Sequence, residues 1–334
     1  MKHYRLGATG PNVSRMGLGC MGMSGVYGPA DRAESIATIH AALDAGVNLI
    51  DTGDFYGMGH NEMLIAEALK GVPRDDYVLS VKFNALRDPA GGWCGFDSRP
   101  EAVRNFLAYS LERLGVETID IYRPSRLDPK VPIEETMAAL VECKEEGWIR
   151  HIGLSEVGAE TLRRAAAIHP ISDLQIEYAL VTRGIEDEIL PTCRELGIAV
   201  TAYGVLSRGL IGGNWKPGAS AEELGPFRQH SPRFAGANAE ANFALVQKLN
   251  EVAQEIGFSA AQAAIAWVSA QGADVVPIVG ARTRTRLAEA IAAFETTLSP
   301  EEIALIENVV PRGAAAGERY AAPMMAMLDS ERRG

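Results

Sequence analysis

Short apolar, β-branched segments alternate with longer amphipathic ones along most of this chain, and that rhythm limits its fold more than any other feature. The apolar segments read as strands: Met16-Gly-Leu-Gly19, Val47-Asn-Leu-Ile50, Tyr77-Val-Leu-Ser-Val81, Thr118-Ile-Asp-Ile-Tyr122, Ile149-Arg-His-Ile-Gly-Leu154, Asp173-Leu-Gln-Ile176, Ile198-Ala-Val-Thr201 and Val275-Val-Pro-Ile278. Between them, residues 31–45, 61–70, 100–114, 133–146, 158–168 and 186–196 carry apolar side chains at three- and four-residue spacing, the helical pattern. Pro132 precedes a Glu-rich first turn, and Gly115, Gly147 and Gly197 sit just past helix ends, where a left-handed residue closes the last turn. Strands each followed by a helix predict an α/β fold, a parallel (β/α)8 TIM barrel. A doubly wound open sheet is the competitor. It announces itself with Gly-x-Gly-x-x-Gly running into a helix, whereas Gly17-Leu-Gly19-Cys-Met-Gly22 keeps only part of that spacing and runs into a Gly/Ser-rich loop.

The 334 residues would allow two domains, but a closed barrel uses about 250 as one. The chain therefore reads as one domain over 1–334, with residues 311–334 a C-terminal tail that folds over the pocket or stays disordered. Tyr4-Arg-Leu and Val13-Ser-Arg, around Gly10-Pro11-Asn12, read as a hairpin that caps the closed end of the barrel. Two long segments interrupt the repeat, 84–99 and 203–240, and loops of that length inside a barrel are expected to face the substrate. Their aromatics Trp93, Phe96, Trp215 and Phe227 are candidate substrate walls.

A formal net charge of −11 argues against nucleic acid or an anionic membrane as the main partner. No apolar run approaches the ~18 residues of a membrane span, and the N-terminus lacks the apolar stretch of a signal peptide. Cytoplasm is the expected location. Cys20, Cys94, Cys143 and Cys193 are scattered, and His60, His151 and His169 lack ligand spacing, so free thiols and no metal site are expected.

The chemistry gathers in Asp51-Thr-Gly-Asp-Phe-Tyr56-Gly and in Lys82. Asp51 follows a strand, Lys82 ends one and Tyr56 lies between, so a barrel would bring all three to its C-terminal face. A free phenol, with a pKa near about 10, is a weak acid at neutral pH. A neighbouring ammonium is expected to lower that value, and an aspartate to hold the ammonium in place. Such a tyrosine protonates a carbonyl oxygen while hydride reaches the carbon.

With these residues the chain resembles the aldo-keto reductase superfamily over roughly residues 1–310, and most closely the branch of bacterial general aldo-keto reductases and potassium-channel beta subunits. The resemblance rests on Gly17-Leu-Gly-Cys-Met-Gly-Met23, the Asp51–Gly57 run, Val81-Lys82, Gly153-Leu-Ser155-Glu156, Gln175-Ile-Glu-Tyr178, Tyr203-Gly-Val-Leu-Ser-Arg-Gly209, and Gly280-Ala-Arg-Thr283 with Glu289. It implies a barrel that binds NADP(H) without a Rossmann fold, with Tyr56 as general acid, Lys82 as its partner and Asp51 as anchor. Ser155 and Gln175 are implied on the nicotinamide carboxamide and Tyr203 on its ring, with Gly22, Met23 and Phe55 around that site. Gly204, Leu206, Ser207 and Gly209 lie in the run implied to wrap the pyrophosphate. Arg282 and Arg286 are implied on the adenosine 2′-phosphate and Glu289 on the adenine, with Arg284 facing solvent; Ala290 stands where relatives often have Asn.

One position departs from the pattern. Relatives carry a catalytic His in a stretch like Gln-His-Arg-x-Asp-Pro, and Ser125 occupies that place in Tyr122-Arg-Pro-Ser125-Arg126-Leu-Asp128-Pro129. A serine hydroxyl donates one bond, carries no charge and is shorter. Either Tyr56 suffices, with Ser125 or a water positioning the substrate, or carbonyl reduction is slow and the site serves a different substrate. The resulting expectation is an NADP(H)-dependent oxidoreductase acting on an aldehyde, ketone or alcohol. A weakly catalytic NADP(H)-binding sensor subunit is the alternative, and a barrel isomerase or lyase with a phosphate site a third. Substrate, direction and oligomeric state stay open.

Overall fold

A computed structural model describes residues 1–295 and 297–332. Positions 333–334, at the end of the expected tail, lie outside them. Nine parallel segments form one sheet, and two of these, Ile149–Ile152 and Leu154–Ser155, are consecutive in sequence and lie at its two edges. They are one strand interrupted at Gly153, so the sheet closes into a barrel of eight: β1 Gly17–Gly19, β2 Leu49–Gly53, β3 Val78–Phe83, β4 Ile119–Pro124, β5 the interrupted strand, β6 Asp173–Glu177, β7 Ala199–Tyr203 and β8 Val275–Gly280. All eight expected strands are present. Each runs within one to three residues of its sequence pattern.

The six expected helices lie at Arg32–Asp44, His60–Ala68, Pro100–Leu114, Ile133–Glu145, Ala159–Ala166 and Ile189–Leu196. Gly115 and Gly197 close two of them at φ +66° and +68°, the left-handed conformation for which glycine is suited. The N-terminal hairpin pairs His3–Arg5 with Asn12–Ser14. Its Leu6 and Val13 seal the barrel floor against Leu49, Val78, Ile121, Ala199 and Val276.

Segment 84–99 is itself a hairpin, Ala85–Arg87 paired with Trp93–Phe96. Segment 203–240 holds a helix, Ala221–Arg228, and the start of another, Gly236–Glu255. No described helix is long and apolar enough to cross a membrane.

Above the floor the barrel interior turns polar. Arg123 of β4 ion-pairs with Asp173 of β6 at 2.6 Å, both side chains fully buried. The same guanidinium reaches Ser80 Oγ at 2.9 Å and Thr201 Oγ1 at 3.2 Å. Gly153 breaks β5 beside this pair: a Cβ there would stand 2.9 Å from Asp173 Oδ1 and 3.1 Å from Arg123 Cζ. The strand yields its side chain so that the cation can cross the barrel.

Candidate active site

Alternation along the strands turns Asp51, Ser80, Lys82, Arg123, Asp173, Gln175 and Thr201 towards one buried network. Lys82 Nζ donates to Asp51 Oδ1 at 2.6 Å, with both side chains about 5% exposed. Asp51 Oδ2 accepts from Gln175 Nε2 at 2.7 Å and Ser80 Oγ at 3.0 Å. The Lys82 ammonium lies 5.1 Å from the centroid of the Tyr56 ring. Gly53 permits this approach, since a Cβ there would meet the Phe55 and Tyr56 rings at 3.2–3.4 Å. Asp51, Lys82 and Tyr56 are thus brought together.

The electrostatics differ from the sequence expectation. Burial, followed by the Asp51 charge and Tyr27, pushes the Tyr56 phenol well above its ordinary value, while Arg126 pulls it down. Burial also draws the Lys82 ammonium below its usual value; Asp51 opposes this by charge and hydrogen bond, and Arg123 and Arg126 add to the fall. The phenol keeps its proton, because burial and then the Asp51 charge outweigh the pull of the cations around it.

Ser125 is buried, but its hydroxyl donates to Asn84 Oδ1 at 2.7 Å. Asn84, at φ +81°, is fixed in turn by its own donors to Ser98 Oγ and the Arg126 carbonyl, both at 2.8 Å. The side-chain donor of Ser125 is thereby committed to the protein.

Phe55, Trp93 and Phe96 form a connected aromatic group beside Tyr56, with centroids 4.8 Å (Phe55–Tyr56), 5.6 Å (Phe55–Trp93) and 6.4 Å (Trp93–Phe96) apart. Trp215 does not join them. It packs edge-on against Phe234 and Phe243 and donates its indole N–H to the Leu210 carbonyl. Its expected place in a substrate wall is corrected to one in the hydrophobic core.

Of the residues expected to hold a cofactor, Ser155 and Ser207 are buried with hydroxyls that find no partner among the described residues. Two orphan hydroxyls, where a carboxamide and a pyrophosphate are expected, fit a nicotinamide dinucleotide. Ser207 and Arg208 hold left-handed φ of 48° and 61°, in a loop where Gly204 and Gly209 do the same. Such conformations in non-glycine residues are costly and persist where surrounding contacts impose them. Gly22 and Met23 lie in the short helical turn after β1, and Leu206 lies in the loop with Ser207. Arg282 donates to the carbonyls of Gly28 and Pro29. Arg286 ion-pairs with Glu289 at 2.8 Å, on the exposed face of the helix that Thr283 caps. Arg284, expected to face solvent, is exposed and pairs with Glu34.

Sequence reasoning missed the charged cluster at the mouth. Glu156 and Glu177 are buried, and Arg319, from the tail, bridges them at 2.6 and 3.3 Å. Arg208 pairs with Glu177 at 2.7 Å. Tyr203 donates to Glu156 at 2.6 Å, and its oxygen lies 2.9 Å from that of Tyr320. Burial alone would raise the Glu156 carboxyl, but Arg319 and then Arg126 hold it well below the usual carboxylate range. Glu177 is lowered in the same way, by Arg208 and then Arg319. Period two from Gln175 marks Glu177 as inward-facing, a signal available in the sequence; nothing local marks Arg319.

These observations can be set beside known proteins. The sequence pattern of the Aldo/keto reductase family matches residues 15–311. A probable aldo-keto reductase 1 of soybean, Glycine max, is 40% identical over 317 residues, 95% of this chain and 91% of the relative. A glycerol dehydrogenase from Gluconobacter oxydans superposes with a TM-score of 0.82 at 30% identity, covering 92% of this chain and 94% of its own. An aldo-keto reductase from Klebsiella pneumoniae, solved in complex with NADPH, superposes with a TM-score of 0.73 at 26% identity, covering 93% and 95%. The matched stretch contains every barrel strand and the Asp51–Tyr56–Lys82 set, and this chain belongs to the aldo/keto reductase family, a family of oxidoreductases.

Proposed function

We propose that this protein interconverts a carbonyl compound and its alcohol with NADP(H), using Tyr56 as proton donor and acceptor. The observation that carries the reading is the buried Lys82–Asp51 pair set against the face of the Tyr56 ring. A nicotinamide cofactor would supply the hydride to the carbonyl carbon when bound. The chain's own part is the proton: Tyr56 Oη gives it to the carbonyl oxygen in reduction and takes it back in oxidation. Lys82 and Asp51 fix the ring and steady the charge that appears on the phenol.

Ser155 and the side-chain oxygen of Gln175 would hold the carboxamide, with the Tyr203 ring beneath the nicotinamide and Gly22 and Met23 at its edge. The loop Gly204–Gly209, including Leu206 and Ser207, would carry the pyrophosphate on its backbone N–H groups. Arg282 and Arg286 would fork onto a 2′-phosphate at the helix N-terminus, and Glu289 would meet the adenine. The Klebsiella relative's NADPH complex supports that choice of cofactor. Phe55, Trp93 and Phe96 would wall the substrate, with the tail segment that carries Arg319 and Tyr320 as its roof.

The test is NADPH titration by intrinsic fluorescence of the wild type and Tyr56→Phe, followed by turnover on aldehydes and ketones. Binding by both, with turnover reduced by about 10²–10⁴ in the variant, is the expected outcome. Equal turnover by the two would remove Tyr56 from the chemistry. Binding without turnover in either would favour a sensor.

A further inference from the structure

Four guanidinium groups meet at the barrel mouth, those of Arg126, Arg208, Arg233 and Arg319. Three of them have acids. Arg319 is paired with Glu156, Glu177 and Glu331, Arg208 with Glu177, and Arg233 lies 3.7 Å from Glu177. Arg126 is the one left over, with no carboxylate within 4.0 Å among the described residues. One of its terminal nitrogens donates to the Ser125 carbonyl at 2.6 Å and the other reaches Tyr320 Oη at 3.4 Å. The rest of the fork has no protein acceptor among the described residues, although the residue is half-buried.

Neither buried acid is free to move onto it. Glu156 Oε1 already accepts from Tyr203, Arg319 and the Glu177 amide, and Oε2 from Arg319 and Ser330. Glu177 accepts from Thr182, Arg208 and Arg319. Arg126 feels the Glu156 charge only at a distance, and a half-buried cation with open N–H groups and no carboxylate in contact can take an anion from outside. Its position indicates which anion. Arg126 directly follows Ser125, its charge acts on the Tyr56 phenol, and it touches Tyr320, which touches Tyr203, so it is placed near the proposed proton donor. Ser207 and the left-handed loop implied for the pyrophosphate follow β7, beyond Tyr203.

We propose that the substrate of this site is a carbonyl compound bearing a carboxylate, and that the planar fork of Arg126 holds that carboxylate while the carbonyl faces Tyr56. The inference rests on the oxidoreductase reading above and names its substrate class. The two nitrogens of a guanidinium match the two oxygens of a carboxylate, a match that an ammonium does not reproduce.

The test compares kcat/KM with NADPH for two pairs: 4-carboxybenzaldehyde against methyl 4-formylbenzoate, and succinic semialdehyde against butanal. Charge-assisted bonding predicts that the wild type prefers the acid of at least one pair by about 10–100-fold, mainly through KM. The preference should shrink towards parity in Arg126→Gln and survive in part in Arg126→Lys, with NADPH affinity retained in both. Binding of 4-(hydroxymethyl)benzoate to the NADP⁺-loaded protein, read by fluorescence, gives the same comparison without turnover. A wild type indifferent to the carboxylate in turnover and binding overturns the proposal and leaves the oxidoreductase reading standing. So does a preference that survives Arg126→Gln, or a loss of NADPH affinity equal to the loss of substrate affinity. Absence of turnover on all four compounds, with the alcohol-acid still bound through Arg126, would instead count against the oxidoreductase reading.

Discussion

At the scale of single residues, the informative result is that Tyr56 holds its proton. Burial and the Asp51 charge outweigh the cations around the phenol. A donor whose pKa lies above the ordinary value of about 10 is fully protonated through the neutral range. Reduction should therefore show no loss from Tyr56 titration between about pH 6 and 9. Oxidation needs the phenolate, so kcat for an alcohol should climb with pH over the same window, by up to about tenfold per unit. Paired pH profiles check this, and an oxidation rate that levels off below about pH 8 would show a lowered phenol after all. Ser125 gives a second expectation. Its proton is spent on Asn84, so Ser125→Ala should lower kcat by less than about fivefold, short of the 10²–10³ typical of a lost oxyanion donor, and cost about 1 kcal/mol of stability. A hundredfold fall would return Ser125 to the chemistry. The constellation itself was legible, because Asp51 and Lys82 lie on strands that a repeating pattern marks and Tyr56 in the loop after the first of them. The sign of the phenol shift was not, since it depends on depth of burial and on which charges meet across the barrel.

Among the elements, β4 and β6 carry a feature the strand patterns did not show. The expected strand 118–122 stopped one residue before Arg123, while the observed one runs on to Pro124 and aims that guanidinium inward. Two of the helices outside the six expected ones were hidden for a related reason. Ala260–Ala270 is buried on nearly every side, so it shows no polar stripe to set its period, and Gly236–Glu255 starts inside a Gly/Pro/Ser-rich stretch. The Arg123–Asp173 pair invites a double-mutant cycle. Arg123→Leu alone strands a buried carboxylate and should cost about 3–5 kcal/mol. Adding Asp173→Val removes the stranded charge and should recover most of that loss, because apolar replacements of a buried pair are often neutral or better. Urea unfolding of the two single variants and the double variant reads the coupling directly. Strict additivity would mean that the two side chains act independently, contrary to the geometry.

For the molecule as a whole, the net charge of −11 conceals a mouth built on arginines, and the tail completes it. The described tail is tied down along its length: Ala316 bonds to Asn242, Arg319 joins Glu156 and Glu177, and Asp329 accepts from the Gly158 amide at 2.9 Å. Composition could not reveal this, because an Ala-, Gly- and Met-rich segment owes its place to Arg319 and to a buried Leu328. Arg319→Gln should therefore act on global stability, at a cost of about 3–5 kcal/mol near neutral pH, since it leaves two buried carboxylates short of a cation. The pH dependence has a definite sign. Glu156 and Glu177 have folded-state values below the unfolded value of about 4.3, so their contribution is fully present above that pH and is lost as pH falls through the folded values. Without Arg319 that depression weakens and burial, which raises both carboxyls, gains weight, so the variant loses stability relative to wild type as pH rises from about 4 to 7. Urea midpoints across that range should show a gap that is narrow at acid pH and widest near neutrality. A gap of constant width would mean that Arg319 stabilises by packing alone, and that the acids at the mouth owe their charge to Arg208 and Arg126.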